Sequence, residues 1–521
     1  MKKYFLLIFI LLSAGTGFGQ NVNLPLDHYA YDFFYRMETK GVLEDVVSNK
    51  PILRIEASEY VMILDSLNRT DPYLFTKLDK KIIERLKGEF RFELRNKKCS
   101  IKKSETEPHF YKFTGNNKSA FFDIVMGAEI LSVSGESQNI KNYQQAYYGG
   151  IIRGSFKNIS FYSDVRIFGE TGQKYTQHYN AYSGYPQGVS KDSTFKTWDK
   201  SDAYLSFSIK GILVQFGRQN IKWGNSLFSP LFLSDNAPSF DMLKIYVPFS
   251  RKVNFTYIHG ELRSDYSHKW IAAHRIEFLP FDKFSIGFNE SVVYGKRGIE
   301  SAYLNPLIPY LIAEHTLGDR DNVCMGIDFK LLPIRNVKIY GELFIDDLFS
   351  PFDLFENYWG NKLAFQTGLS LEDPFKINNS RFTAEYTRID PFVYTHEDTV
   401  NIYENYTYGL GHFLRPNSDM INVEFIKRFS LFMQSKISFM HIRHGRGEIN
   451  ISHTEEDGEL KNFLKGTLEI TDKKEISFNF QPKRDVYINF VLRNMSVVNP
   501  ENIQGKKFSW NEFTLNTSFN W

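Results

Sequence analysis

The sequence predicts a transmembrane β-barrel of about 18 antiparallel strands, joined to a small N-terminal α-helical bundle. Three observations predict it. The last nine residues alternate, with Phe513, Leu515, Thr517, Phe519 and Trp521 on one face and Thr514, Asn516, Ser518 and Asn520 on the other. Strand side chains alternate faces with period two, so the chain ends on a strand with one largely apolar face. An aromatic last residue suits a closing barrel strand that ends at the membrane interface. The same period recurs from about residue 120 onward, at 159–169, 203–209, 253–257, 284–288, 337–345, 476–480 and 486–492. The connections then fall into two classes. Short, turn-rich ones lie at 157–158, 210–211, 251–252, 280–283, 333–336, 427–430 and 482–485, and long ones at 171–200, 224–240, 295–320, 350–361, 395–410 and 446–470. Short periplasmic turns and long outer loops are what such barrels show, whereas a soluble β-sandwich or repeat protein explains neither the terminal aromatic nor the two loop classes.

Each part of the chain follows in order. Residues 1–19 read as a signal peptide: Lys2 and Lys3, the apolar run 4–12, then small residues ending Gly17-Phe18-Gly19. That apolar run is too short to cross a bilayer as a helix. Residues 20–110 read as a periplasmic helical bundle and linker. Helical spacing covers 27–40 and 57–67, and a third helix is expected over 71–87 with Asp71 as N-cap, Pro72 at its first position and Gly88 after its end. Residues 111–521 read as the outer-membrane barrel. Aromatics reach 16%, with 48 Phe and 30 Tyr, while mean hydropathy stays at −0.34 because barrel strands are half polar. Without residues 1–19 the net charge falls from +3 to +1, so nothing points to nucleic acid as a partner. Cys99 and Cys324 fall in different parts of the molecule and are expected to be free thiols.

The parity assigns faces. On 337–346, Val337, Ile339, Gly341, Leu343 and Ile345 should face lipid, and Lys338, Tyr340, Glu342, Phe344 and Asp346 the lumen. Tyr162, Asp164, Arg166 and Glu170 should also face the lumen. Three stretches break the alternation. They are Gly217-Arg218-Gln219-Asn220-Ile221-Lys222-Trp223-Gly224-Asn225-Ser226-Leu227 with Ser234-Asp235-Asn236-Ala237-Pro238, then Gly318-Asp319-Arg320-Asp321-Asn322, then Tyr340-Gly341-Glu342-Leu343-Phe344-Ile345-Asp346-Asp347. The strand register brings all three to the outer half of the barrel.

In these three stretches the chain resembles the Wzi-type capsule-assembly proteins of Gram-negative outer membranes. It departs from their pattern at Asn225-Ser226, where the family tends to have a proline-glycine pair. The resemblance implies an 18-stranded barrel, occluded by loops, that holds exported capsular or surface polysaccharide at the cell surface. A lesser resemblance, Gly41-Val42-Leu43, Pro51 and Arg54-Ile55-Glu56-Ala57, is similar to the S-layer-homology pattern, although a plain helical plug explains that region as well.

Sugar binding uses aromatic platforms for ring faces and carboxylates or amides for hydroxyls. The expected polysaccharide contacts are Tyr179, Tyr182 and Trp198 in the first long loop, with Trp223, Asp235, Asn236, Tyr303, Asp319, Arg320, Asp321 and Trp359 on or beside the others. Arg320 could pair with an acidic sugar. The partners expected are membrane lipids and this polysaccharide, with no cofactor and no metal. An enzyme is not expected, since no Gly-x-Ser-x-Gly, His-Glu-x-x-His or phosphate-binding loop occurs and strand parity puts His441 and His444 on opposite faces. The rival readings are a diffusion porin and a scaffold subunit of an envelope-assembly complex.

Overall fold

The computed structural model describes residues 20–44, 46–95, 107–137, 142–172, 195–250, 252–264, 268–348 and 356–521. The expected signal peptide, Cys99, Tyr179 and Tyr182 lie outside these residues. Cys324 is free and buried.

Eighteen strands follow one another in chain order around a closed antiparallel barrel. They are β1 (Lys118–Glu136), β2 (Tyr143–Phe156), β3 (Ile159–Gly172), β4 (Phe195–Ile209), β5 (Ile212–Gln219) and β6 (Phe240–Ser250). Next come β7 (Val253–Leu262), β8 (Lys269–Phe281), β9 (Phe284–Gly295), β10 (Asn322–Leu331), β11 (Val337–Asp347) and β12 (Lys362–Glu372). The last six are β13 (Ser380–Ile389), β14 (Ser418–Ser430), β15 (Met433–His444), β16 (Glu469–Lys483), β17 (Val486–Val498) and β18 (Lys507–Asn520). Each strand pairs with the next, and β18 closes on β1 from Ser509↔Glu136 to Asn520↔Val125.

Closure uses the terminal strand as its alternation implies. Phe513 is 42% exposed and Trp521 52%, whereas Thr514 is buried. The Trp521 backbone exchanges hydrogen bonds with Ile124, and its ring meets Phe110 edge-on at 6.0 Å. The chain also enters the barrel here. A short strand, Tyr111–Gly115, pairs with the β1 edge just past Trp521, with Tyr111 opposite Phe122, so strand structure begins before the expected position of about 120. The parity of β11 holds: Lys338, Tyr340, Glu342, Phe344 and Asp346 are all buried inward. One turn is misplaced by the sequence. β14 runs through Ser430, and the reversal falls at Leu431 and Phe432, not at 427–430.

The helical region packs α1 (Ala30–Thr39), α2 (Arg54–Thr70), α3 (Lys77–Glu89) and the short α4 (Arg91–Leu94) around Phe33, Phe34, Met37, Val61, Leu64, Ile83, Leu86 and Phe90. The third helix does not start at Asp71. Pro72–Leu74 forms a separate 3-10 turn, and α3 starts after Thr76, whose hydroxyl accepts from the Asp79 N–H while the Asp79 carboxylate accepts from the Thr76 N–H. That reciprocal pair satisfies two otherwise orphaned donors, and Asp71 makes no such side-chain bond. Gly88 lies inside α3.

The bundle is fastened to the short-turn end of the barrel by buried charge pairs. Glu38 accepts from Lys330 at 2.6 Å and Lys338 at 2.7 Å, and Asp32 pairs with Arg381 and Arg428. Arg36 reaches Glu372 and Asp373, and Arg484 donates to Glu89. Two stretches of the bundle climb into the lumen. The Asn23 amide donates to Gln219 at 2.7 Å, and the Ser48 hydroxyl donates to Glu277 at 2.6 Å.

Candidate functional site

The first motif builds the centre of the barrel. Leaving β5, the chain turns into the lumen at Gly217 and Gly224, both with positive φ. A Cβ on Gly217 would stand 2.3 Å from the Ala203 carbonyl, and one on Gly224 would stand 3.1 Å from Pro230 and 3.3 Å from the Glu342 carboxylate. Only glycine fits there. Lys222–Trp223 pairs with Asn49–Lys50 of the N-terminal segment, so a small ribbon crosses the lumen. Beyond it the loop is tied to three wall strands. Asn225 donates to Asp328, Ser226 donates to Glu385, and the Leu231 and Phe232 N–H groups donate to Glu342 at 2.8 and 3.1 Å.

The loop between β13 and β14 closes over this one. Tyr394 donates to the Leu231 carbonyl at 2.6 Å, Tyr403 to the Phe232 carbonyl at 2.9 Å, and Asn236 to the Gly409 carbonyl at 2.8 Å. Trp223, Leu231, Phe232, Phe344, Tyr394 and Tyr403 belong to one buried cluster inside the barrel. The first and third motifs therefore meet through Glu342, at the centre of the barrel, whereas all three were expected together on its outer half.

Beside this cluster lies a chamber of about 540 Å³. Tyr31, Asp32 and Tyr35 of α1 and Lys50 line it from the bundle, and Lys222, Asp235 and Asn236 from the inward loop. The walls add Arg381, Glu424, Lys436 and Lys473. Five cations thus face three carboxylates, with aromatic rings between them. Lys222 holds Asp235 at 3.1 Å. Burial opposes ionisation of Asp235, but Lys222 outweighs it and keeps the carboxyl below its usual range. Burial, reinforced by Lys222 and Lys338, brings Lys50 down to about 7. Its ammonium lies 5.7 Å from the centre of the Tyr31 ring.

The expected contact residues separate into groups. Asp235 and Asn236 line the chamber. Trp223, expected as a sugar platform, is 0% exposed and fully covered by the loops around it. Trp198 is not in a loop but on β4, buried, with its ring stacked on Phe168 at 3.8 Å and its indole N–H donating to Glu170. Tyr303 and Asp321 are buried together on the outer side of the wall, where Tyr303 donates to Asp321 at 2.7 Å and Arg297 pairs with the same carboxylate. Asp319 and Arg320 are exposed at the rim of β10. Trp359, half-buried, stacks on His453 at 3.6 Å. The nine of these residues that the structure describes do not form one surface, because Trp198, Trp223, Tyr303 and Asp321 are consumed by packing.

Lys50, Arg381, Lys436 and Lys473 were not singled out from the sequence. The signal for Arg381, Lys436 and Lys473 was inward parity on basic strand positions, and Lys50 had none. His441 and His444 do lie on opposite faces, His441 bonded to Asp472 and His444 to the Gly447 carbonyl. Near the barrel entry, Glu107, His109 and Asp123 come together. Each ring nitrogen of His109 faces a different carboxylate, and Arg153 holds Glu107 at 2.7 Å, so this trio is a charge-paired network.

A family model described as capsule assembly protein Wzi matches residues 131–508. The chain belongs to this family. Among solved structures it is similar to Wzi of Escherichia coli, described as an outer-membrane protein involved in group 1 capsule assembly and a carbohydrate-binding β-barrel. That match has 12% identity and a TM-score of 0.59, and covers 96% of this chain and 99% of the other. Pseudomonas aeruginosa OccD3 (OpdP) matches at 10% identity and a TM-score of 0.46, over 80% of this chain and 93% of the other. Acinetobacter baumannii OccAB2 matches at 10% identity and a TM-score of 0.46, over 80% and 99%. No protein of the curated set matches the chain by sequence. The fold is thus that of a Wzi outer-membrane barrel, closed by 18 strands and carrying N-terminal helices.

Proposed function

We propose that this Wzi-family barrel binds and organises exported capsular or surface polysaccharide at the cell surface, without turnover. In this reading residues 1–19 direct export, residues 20–110 sit in the periplasm, and residues 111–521 form the barrel with its long loops outside. The observation that carries it is that, among the described residues of this family member, two bonded loops cross the lumen. The inward loop is bonded to Asp328, Glu342 and Glu385 on the wall and packed under the loop between β13 and β14, which suits a holding scaffold better than a diffusion channel. At the long-loop end, Asp319, Arg320 and the Trp359–His453 stack offer charge and a ring face to sugars.

The test is retention of the full-length protein on immobilised native surface glycan, beside a variant carrying Asp319→Ala, Arg320→Ala and Trp359→Ala. Retention is expected to fall at least tenfold in the variant. Equal retention would remove these residues from the binding surface, and steady open-channel conductance of the wild type in planar bilayers would favour a porin instead.

A further inference from the structure

Two apolar clusters lie back to back across the wall of β8, β9 and β10. The inner one contains Ile271, Ala273, Val293 and Cys324. The outer one contains Ala272, Val292 and Tyr294, joined by Trp270 and Val323. What covers the outer cluster is the loop between β9 and β10, through Tyr303, Tyr310 and Ala313. This loop does not fold over the barrel mouth. It folds down the outside of the wall.

Specific bonds hold it there. Tyr257, outward on β7, donates to the Tyr303 carbonyl at 3.0 Å, and the Glu300 N–H donates to the Tyr294 hydroxyl. Tyr310 opens the helix α5 (Tyr310–Leu317), and its ring stacks on His274 at 4.6 Å. His274 lies 2.9 Å from Glu290, whose carboxylate accepts the Leu311 N–H at 3.0 Å.

Register gives the depth. Rising from the short turn, the outward residues of β9 are Phe284, Ile286 and Phe288, and the next is Glu290. On β17, Leu492 stands as far from Val486 as Glu290 does from Phe284, and it is an exposed apolar residue. Glu290 therefore sits at a height where other strands still present hydrocarbon. A bare carboxylate there would be costly, and the loop covers it.

The outer surface of the loop replaces the wall it hides. Leu304, Leu307, Leu311 and Ile312 are exposed, Leu307 at 79% and Ile312 at 59%. From the Glu290 level α5 climbs toward Asn322, which pairs with Val293 higher on β9. Along that climb the exposed residues turn polar: His315, Thr316, Asp319 and Arg320. Apolar residues at the deep end and polar ones at the shallow end are the profile of a segment lying in a membrane interface.

We propose that residues 299–317 form an interfacial anchor seated in the outer face of the membrane, with Leu304, Leu307, Leu311 and Ile312 among lipid acyl chains. The occupant is lipid because this apolar surface continues the exposed outward residues Ile276, Phe278, Phe288 and Ile327 of the same strands.

The test uses full-length protein in phosphatidylcholine vesicles, with Cys99→Ser as background and Cys324 buried. Single variants Leu307→Cys, Ile312→Cys and Thr316→Cys are nitroxide-labelled, with Phe288→Cys as the belt control and Glu456→Cys as the aqueous loop control. Collision with oxygen and with a water-soluble nickel chelate is measured by power saturation. Labels at 307 and 312 should resemble 288, favouring oxygen several-fold over the aqueous control, with 316 intermediate. Nickel accessibility at 307 and 312 equal to that at 456 would overturn the proposal. Shielding of both labels from oxygen and nickel alike would also overturn it, assigning the surface to a protein neighbour.

Discussion

Lys50 shows how a single residue records the design of the lumen. It is an ammonium drawn into the barrel on the ribbon that pairs with Lys222–Trp223, and burial beside Lys222 and Lys338 brings it down to about 7. An unfolded lysine titrates near 10.4. Between these values the unfolded chain carries one more proton than the folded one, so stability rises with pH across that window. Lys50→Met removes the charge and this slope. In detergent micelles the variant should melt above the wild type by the largest margin below pH 7, and the margin should shrink steadily toward pH 10. A margin that is constant from pH 6 to 10 would show that Lys50 is solvated as an ordinary surface lysine. The sequence marked Lys222, two residues before a bend glycine, but gave no sign of Lys50. Their pairing joins segments far apart in the chain, and no local pattern encodes it.

At the scale of elements, the strands were legible and the helix starts and loop paths less so. Alternation identifies a strand and its faces because period two is a local property, and Lys338 through Asp346 obeyed it. The path of the loop after β5 could not be read this way, since it depends on bonds to Asp328, Glu342 and Glu385 on distant strands. One sign of the outer loop was nonetheless present. Glu290 follows Phe284, Ile286 and Phe288 in the outward parity, and a carboxylate in a lipid-facing row calls for a cover. The helical bundle, in turn, depends on charge for its docking. Burial opposes ionisation of Glu38, but Lys330 and Lys338 outweigh it and bring its carboxyl down to about 2, while Arg381 and Arg428 hold Asp32 low in the same way. For a carboxylate with a depressed folded value, the stabilisation is complete above the unfolded value of about 4.3 and is lost as pH falls through the folded one. The helical signal at 222 nm should therefore melt at progressively lower temperature from pH 4.5 to pH 2. Glu38→Gln should weaken docking at pH 7 by about 3–5 kcal/mol, because it takes the shared carboxylate away from the two buried ammonium groups of Lys330 and Lys338. A melting temperature unchanged over that acid range would rule out a charge-held bundle.

For the whole molecule, the seam between β18 and β1 decides whether a long sheet becomes a barrel. Closure removes the two free edges of the sheet, so every strand gains from the register fixed there. The register itself rests on the backbone pairing from Ser509↔Glu136 to Asn520↔Val125. Alternation through Phe513, Leu515 and Phe519 fixes which face of this strand meets lipid, which is why a closing barrel strand was readable from the last nine residues. What they could not convey is that the chain enters and ends at the same place. Tyr111–Gly115 continues along the β1 edge from the point where Trp521 stops, and Phe110 and Phe519 both meet the Trp521 ring. The terminal tryptophan thus joins the first strand, the last strand and the linker to the bundle. Trp521→Ala keeps the backbone pairing to Ile124 and removes only the ring. Its loss should cost about 1–2 kcal/mol, the scale of a half-buried large side chain. On gels the folded, faster-migrating form should convert to the unfolded form at a temperature several degrees lower than in the wild type. Phe429→Ala, at an exposed position near a short turn away from the seam, is the control and should shift conversion by less. Equal shifts in the two variants would mean that Trp521 contributes only lipid contact and takes no part in holding the seam.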